Sequence, residues 1–155
     1  MPKKYTKADK LRDCYTVFKC LLTGEKVKRE THKDGSIPTH PIFDGLPEKP
    51  ESEVLADCIA WCKKNGVLVW RNNTGSGTLG ISGYYHYGIT DGGDLIGLLP
   101  TGQHIEIECK ASKGGRWSAG QMARKLEIEK SNGIYMLVHS VEELDYYYNI
   151  WLERK

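Results

Sequence analysis

The sequence predicts an α/β fold in which a mixed central β-sheet is flanked by helices. Three observations carry this expectation. Segments with helical apolar spacing alternate with short runs of strand type, residues 94–110 have the pattern of a β-hairpin, and a buried strand over 134–138 stands between two capped helices.

Thr6, followed by Asp9 three residues later, resembles a capping box, and Ala8, Leu11, Tyr15, Phe18 and Leu22 then recur at helical spacing until Gly24. This predicts an amphipathic helix over 7–23. Residues 25–49 are rich in Lys, Gly and Pro without a sustained period, and read as a long connection with room for one short strand. The first 49 residues thus form a helix and an irregular extension. His32 and His40 are ordinary surface histidines there, since neither has finger-like spacing to Cys14 or Cys20.

From Pro50 to Asn65 the pattern is helical again, with Gly66 as the cap and Leu55, Cys58, Ile59 and Cys62 as the apolar stripe. One turn before Leu55 lies Glu51, on the inward side of the wheel, whereas Glu53 falls on the far side. Either glutamate also complements the helix dipole. Val67–Arg71 is a short apolar strand, and the stretch RNNTGSGTLGISGYYHYG after it is dense in glycine. Gly75–Gly80 fits G-x-G-x-x-G, but a dinucleotide-binding turn needs a helix to begin within the motif. The continuation Ile81-Ser82-Gly83-Tyr84-Tyr85 reads as strand or loop, which argues against an oxidoreductase.

Asp94, Leu95 and Ile96 open the hairpin, Pro100-Thr101-Gly102 turn it, and His104–Lys110 form the second strand. Ile105, Ile107 and Cys109 share one face, and Glu106, Glu108 and Lys110 the other. Asp94 is able to face Glu108 across the ladder, and two carboxylates so close repel unless a cation sits between them. Hard oxygen ligands with open positions describe a Mg²⁺ or Mn²⁺ site, so D-x(13)-E-x-K reads as a metal site with a lysine beside it. The plainer reading is a solvated hairpin whose outward face alternates polar residues.

Ser118 and Gln121 form a capping-box pattern that opens a helix to about Asn132. Arg124 lies one turn further on, and Lys113, Arg116 and Lys125 are nearby. They make either a phosphate-contact patch or a solvated basic helix start. Ile134–Val138 is a buried strand, and Ser140 with Glu143 caps a last helix carrying Leu144, Tyr147, Tyr148, Trp151 and Leu152. Tyr146, Tyr147 and Tyr148 face different ways on that helix, so packing or a subunit interface explains them better than base stacking.

GGDLIG followed by IEIECK resembles the core of the PD-(D/E)xK nuclease superfamily. W-R-N-N-T-G after the first strand, ahead of Asp94, is similar to the R-N-x-x-G pattern of its virus-type replication-repair nuclease (VRR-NUC) branch. Where that family often has glycine three residues before the metal-binding aspartate, this chain has Asp91, followed by Gly92 and Gly93. The resemblance covers residues 50–145 and implies a restriction-endonuclease-like core, with a nuclease domain over 50–155. It implies that Asp94, Glu108, the Cys109 carbonyl and a glutamate of the preceding helix hold one or two Mg²⁺ or Mn²⁺ ions. By wheel position that glutamate is Glu51, with Glu53 as the fallback. Lys110 would orient or deprotonate the attacking water or stabilise the charged phosphorus, and Gln121 would position water or phosphate. Arg71 and Asn72 would hold phosphate, orient the carboxylates or simply end the strand, while Lys113, Arg116 and Arg124 would contact DNA. Stand-alone members resemble structure-selective endonucleases that act as homodimers on branched DNA such as four-way junctions. The competing reading is a nucleic-acid-binding module of the same fold without turnover.

Composition bounds these readings. With 39% hydrophobic residues, 155 residues fit one domain with a modest core, and a net charge of +2 is too small to demand a nucleic-acid partner, so DNA contacts must come from local clusters. Five cysteines without C-x-x-C fit reduced thiols, and Cys58 and Cys62 fit packing better than zinc. No apolar run approaches a membrane span and no signal-peptide core follows the basic N-terminus, so an intracellular protein is expected.

Overall fold

Strand order in the central sheet follows from two connections, a tight turn and a helical crossover. Leu95–Leu98 and His104–Cys109 are antiparallel neighbours joined through Pro100–Gly102, where Gly102 takes φ +81° and donates its N–H to the Leu99 carbonyl at 2.8 Å. His104–Cys109 and Ile134–Val138 are parallel, which a tight turn cannot achieve, and helix Ala119–Lys130 makes the crossover.

In chain order the elements are β1 (Ile37–Pro38), α1 (Glu51–Lys64), β2 (Leu68–Arg71), β3 (Gly75–Leu79), β4 (Gly83–Tyr87), β5 (Leu95–Leu98), β6 (His104–Cys109), β7 (Arg116–Trp117), α2 (Ala119–Lys130), β8 (Ile134–Val138) and α3 (Val141–Glu153). The central sheet runs β2-β5-β6-β8, antiparallel except for β6 and β8. The fold is therefore α/β, with a mixed sheet flanked by helices. Among the described residues β3 pairs only with β4, and β1 only with β7. This is a computed structural model, and it describes residues 15, 22–24, 35–80 and 83–153. The chain divides into two compact units, Met1–Thr31 and His32–Lys155, and all these elements belong to the second. Apart from Tyr15, Leu22 and Thr23, the helix expected over 7–23 lies outside the described residues, as does His32.

Period two on β6 sorts its side chains between two environments. Ile105, Ile107 and Cys109 are fully buried with Leu95 and Val138 against Val54, Leu55, Cys58 and Cys62 of α1 and Leu144 of α3. This is the hydrophobic core. Burial and the neighbouring Cys58 push the Cys62 thiol up to about 12, so it stays protonated and packs as a small apolar group. Gly66, at φ +70°, ends α1, and Val67 N–H returns to the Cys62 carbonyl at 2.9 Å. Among the described residues no helix is long and apolar enough to cross a membrane.

Residues 35–49 are tied to the C-terminal end of β8 and the start of α3. Buried Glu143 accepts the Ile42 N–H at 2.7 Å and the His139 N–H at 2.8 Å, while His139 Nε2 meets Thr39 Oγ1 at 3.0 Å. Ser140 Oγ accepts the Glu143 N–H at 3.2 Å, so this pair starts α3 as its spacing predicts.

Gly97 allows β2 to approach β5. A Cβ there would collide with the Leu68 carbonyl oxygen and lie 2.9 Å from Val69 Cα, both backbone atoms that cannot swing away. Gly97→Ala is therefore expected to destabilise the fold by about 3 kcal/mol, as overpacking against backbone does, measured as a lower midpoint in urea.

Candidate active site

The ladder between β5 and β6 sets the site. Its register pairs Leu95 with Ile107, and continued by one residue it puts Asp94 opposite Glu108. Asp94 Oδ2 accepts the Cys109 N–H at 2.8 Å, which fixes the carboxylate against β6. Two glycines bring the chain in. A Cβ on Gly93 would lie 2.9 Å from the Ile107 carbonyl oxygen, and one on Gly92 would lie 2.8 Å from Asn72 Nδ2. Asp91, standing where the resembling pattern has glycine, itself adopts φ +59°, a left-handed conformation that aspartate tolerates better than most residues.

The polar face of β6 is not solvated. Helix α2 lies over it, so Glu106 is 0% exposed and Glu108 3%. The match is one of spacing: Gln121 and Arg124, three apart on the helix, meet Glu108 and Glu106, two apart on the strand, so α2 runs in the opposite sense to β6. Gln121 Nε2 donates to Glu108 Oε1 at 2.6 Å. Its own Oε1 accepts the Ser118 N–H at 3.0 Å, while Ser118 Oγ accepts the Gln121 N–H at 3.0 Å. One carboxamide therefore serves both the capping box and the carboxylate.

Lys110 Nζ also donates to Glu108 Oε1, at 2.5 Å, with only 12% of its side chain exposed. Asp94, Glu108, Lys110, Gln121 and the Cys109 backbone thus meet in one place. Burial and the adjacent Asp94 push the Glu108 carboxyl up to about 7, and its bonds to Lys110 and Gln121 only partly offset this. Asp94 Oδ1 and Glu108 Oε2 accept no hydrogen bond from the described residues. Among those residues no group of three or more His, Cys, Asp and Glu side chains is gathered as for a metal ion, so Asp94 and Glu108 act as a pair. Glu51 and Glu53 are both exposed on the first turn of α1.

Glu106 has a different task. Arg124 Nη2 lies 2.6 Å from its Oε1 and Arg124 Nε 3.2 Å away, Gly93 N–H donates to Oε2 at 3.0 Å, and His104 Nε2 meets Oε1 at 3.0 Å. Burial raises its pKa, but the Arg124, Gly93 and His104 hydrogen bonds and the Arg124 charge outweigh burial and hold it below the usual carboxylate range. Glu106 stays ionised and ties β6, α2 and the Gly93 turn together. Arg124 is accordingly spoken for, as is Arg116, whose Nε and Nη2 bond Ser36 Oγ and the Ser36 carbonyl at 2.9 and 2.7 Å. Lys125 pairs with Glu129, and Lys113, well exposed, pairs with Glu48 at 2.5 Å. Asn72 uses its carboxamide on both backbone groups of Ile89, at 2.8 and 2.9 Å, and its N–H on the Asp94 carbonyl at 2.8 Å. Arg71 is exposed at the end of β2.

Sequence reasoning passed over Glu106 as a structural anchor, although period two already placed it beside Glu108. It also passed over Tyr135, opposite Glu106 on β8, whose hydroxyl is held protonated by burial and by the charges of Glu108, Glu106 and Asp94. Only the β6–β8 register reveals that neighbour. Comparison with protein-family models, with curated proteins and with solved structures finds no match to this chain.

Two stability measurements check this geometry. Arg124→Ala leaves Glu106 buried without its guanidinium, with an expected loss of about 3 kcal/mol near neutral pH. The loss shrinks in acid, where Glu106 takes up a proton, and adding Glu106→Gln recovers most of it; a deficit independent of Glu106 contradicts the assignment. For Glu108 the folded pKa exceeds the ordinary carboxyl value of 4.5, so the folded state binds more protons and stability falls as pH rises from 4.5 to about 7. Glu108→Gln removes that dependence. Relative to the parent it gains about 1–3 kcal/mol between pH 4 and pH 8, read from urea midpoints at each pH.

Proposed function

We propose that this chain is a metal-dependent endonuclease that hydrolyses DNA phosphodiester bonds, built on a PD-(D/E)xK core of the VRR-NUC type. The observation that supports it most is the convergence of Asp94, Glu108, Lys110 and Gln121 around a carboxylate pair whose repulsion a cation relieves. The donors are hard oxygens, two of them without a hydrogen bond from the described residues, which suits Mg²⁺ or Mn²⁺ held by one or two carboxylates with water and phosphate oxygens completing the shell. Asp94, Glu108 and the Cys109 carbonyl would hold the ion; Glu51 joins that set only through the family resemblance. Such an ion supplies Lewis acidity at a phosphoryl oxygen and a water that ionises near neutral pH.

The chain's own groups do the rest. The Cys109 N–H aims Asp94, and Gln121 aims Glu108 from a capped, rigid helix end. Lys110 puts an ammonium in direct contact with the pair and orients or deprotonates the attacking water, or stabilises charge on five-coordinate phosphorus. In the overall reaction an oxygen from water joins phosphorus, one ester P–O bond breaks, and the departing alkoxide takes up a proton. Branched DNA, including four-way junctions, and a homodimeric enzyme belong to this reading through the resemblance. Arg71 and Lys113 are the exposed cations of the proposed DNA-contact set; Asn72, Arg116 and Arg124 support it from inside.

The test is nicking of a labelled four-way junction beside linear duplex, with Mg²⁺, Mn²⁺ or chelator. Asp94→Asn, which retains the acceptor for Cys109 N–H, and Lys110→Ala are each expected to lower the rate at least about 100-fold while leaving DNA binding in Ca²⁺ intact. Metal-independent binding with no cut product points instead to a binding module.

A further inference from the structure

The glycine-rich stretch that resembles a dinucleotide turn does something else. Gly75 and Gly77 lie in β3, and no helix opens within the motif. In the β3–β4 register Gly75 faces Tyr87 and Gly77 faces Tyr85. A Cβ on Gly77 would lie 2.7 Å from the Tyr85 hydroxyl, and one on Gly75 would strike the Tyr87 ring. The glycines are thus what lets both rings lie down across the neighbouring strand. There they stack on each other, with centroids 6.4 Å apart and planes 11° from parallel.

These rings remain open to solvent, Tyr85 43% and Tyr87 53% exposed, and Tyr84 on the opposite face is 72% exposed. Among the described residues the hairpin pairs with no other strand. A two-stranded ribbon with no sheet beside it gains little from its own hydrogen bonds, so exposed rings on it invite an outside partner. Two features say which. Residues 72–90 contain no Asp or Glu, so nothing in the ribbon repels phosphate, while Arg71 adjoins it. The ribbon's base is also bonded to the site, because Asn72 holds Ile89 by both backbone groups and donates its own N–H to the Asp94 carbonyl. The ribbon is therefore anchored beside Asp94.

We propose that Tyr85 and Tyr87 form a stacking platform for unpaired bases of the DNA strand bound at the Asp94–Glu108 site. The proposal rests on the nuclease reading and adds how the strand is gripped. Aromatic stacking tolerates any base, so the platform selects for unstacked bases, as at a branch point, and not for sequence.

The test uses the full chain in Ca²⁺, with fluorescence anisotropy of a labelled single-stranded oligonucleotide and of a duplex. Tyr85→Ala with Tyr87→Ala is expected to weaken single-strand binding at least about fivefold per ring and duplex binding much less. The paired Phe variants keep the rings and are expected to bind as the parent does. Mn²⁺-dependent hydrolysis of bis(p-nitrophenyl) phosphate by the parent, a diester without nucleobases, reads the Asp94–Glu108 site separately from strand binding. Because the Ala variants risk unfolding the ribbon, the parent is also photocrosslinked to an oligonucleotide carrying 5-iodouracil, with adducts expected on Tyr85 or Tyr87. Unchanged single-strand binding by the Ala variants, or adducts confined to other residues, overturns the platform while parent hydrolysis of the small diester leaves the nuclease reading standing. A parent that hydrolyses neither substrate and binds no DNA removes both. Loss of a dimer on sedimentation with undiminished DNA binding shows that the rings serve a second copy of the chain, which also overturns it.

Discussion

Asp94 and Glu108 hold two carboxylates where the fold allows little water, and much of the surrounding structure manages their repulsion. The register of β5 against β6 brings them together, and the raised proton affinity of Glu108 is the electrostatic consequence. A protein selected for stability alone has no reason to keep such a pair. Its retention among Lys110, Gln121 and the Cys109 N–H is understandable if the strain is used, as active sites use it.

The neighbouring Glu106 shows the opposite solution on the same strand face. It is at least as buried, yet Arg124, His104 and the Gly93 N–H satisfy it, and its carboxyl is held low, not high. Two glutamates two residues apart thus divide the labour. Glu106 is locked to α2 and supports the Gly93 turn, which presents Asp94; Glu108 stays unsettled. The helix meets both through side chains three apart, so any shift of α2 along β6 that freed Glu108 would also strip Arg124 from Glu106. This coupling ties the position of α2 to both glutamates at once.

Much of this was legible in the sequence because it rests on short-range rules. Period two separated Ile105, Ile107 and Cys109 from Glu106 and Glu108, and Ser118 with Gln121 marked the start of α2. Glu143 after Ser140 likewise marked α3. What escaped depends on long-range packing. Nothing local shows that α2 covers the polar face of β6, so Arg124 and Arg116 looked like surface cations when each has a partner on another element. The same limit hid the pairing of β1 with β7, two strands of two residues each, far apart in the chain. The tyrosines of β4 were legible as residues, but their stacking across glycines depends on the register of a hairpin that composition alone does not set.

Calorimetric titration of the full chain with Mn²⁺ near neutral pH, in two buffers of different ionisation enthalpy, tests whether the Asp94–Glu108 pair holds a cation. Binding is expected to displace a proton from Glu108, whose carboxyl is held up to about 7 by burial and by Asp94, and Asp94→Asn with Glu108→Gln is expected to abolish the binding heat. Binding that survives this double substitution undiminished, or no binding by the parent at millimolar Mn²⁺, contradicts it.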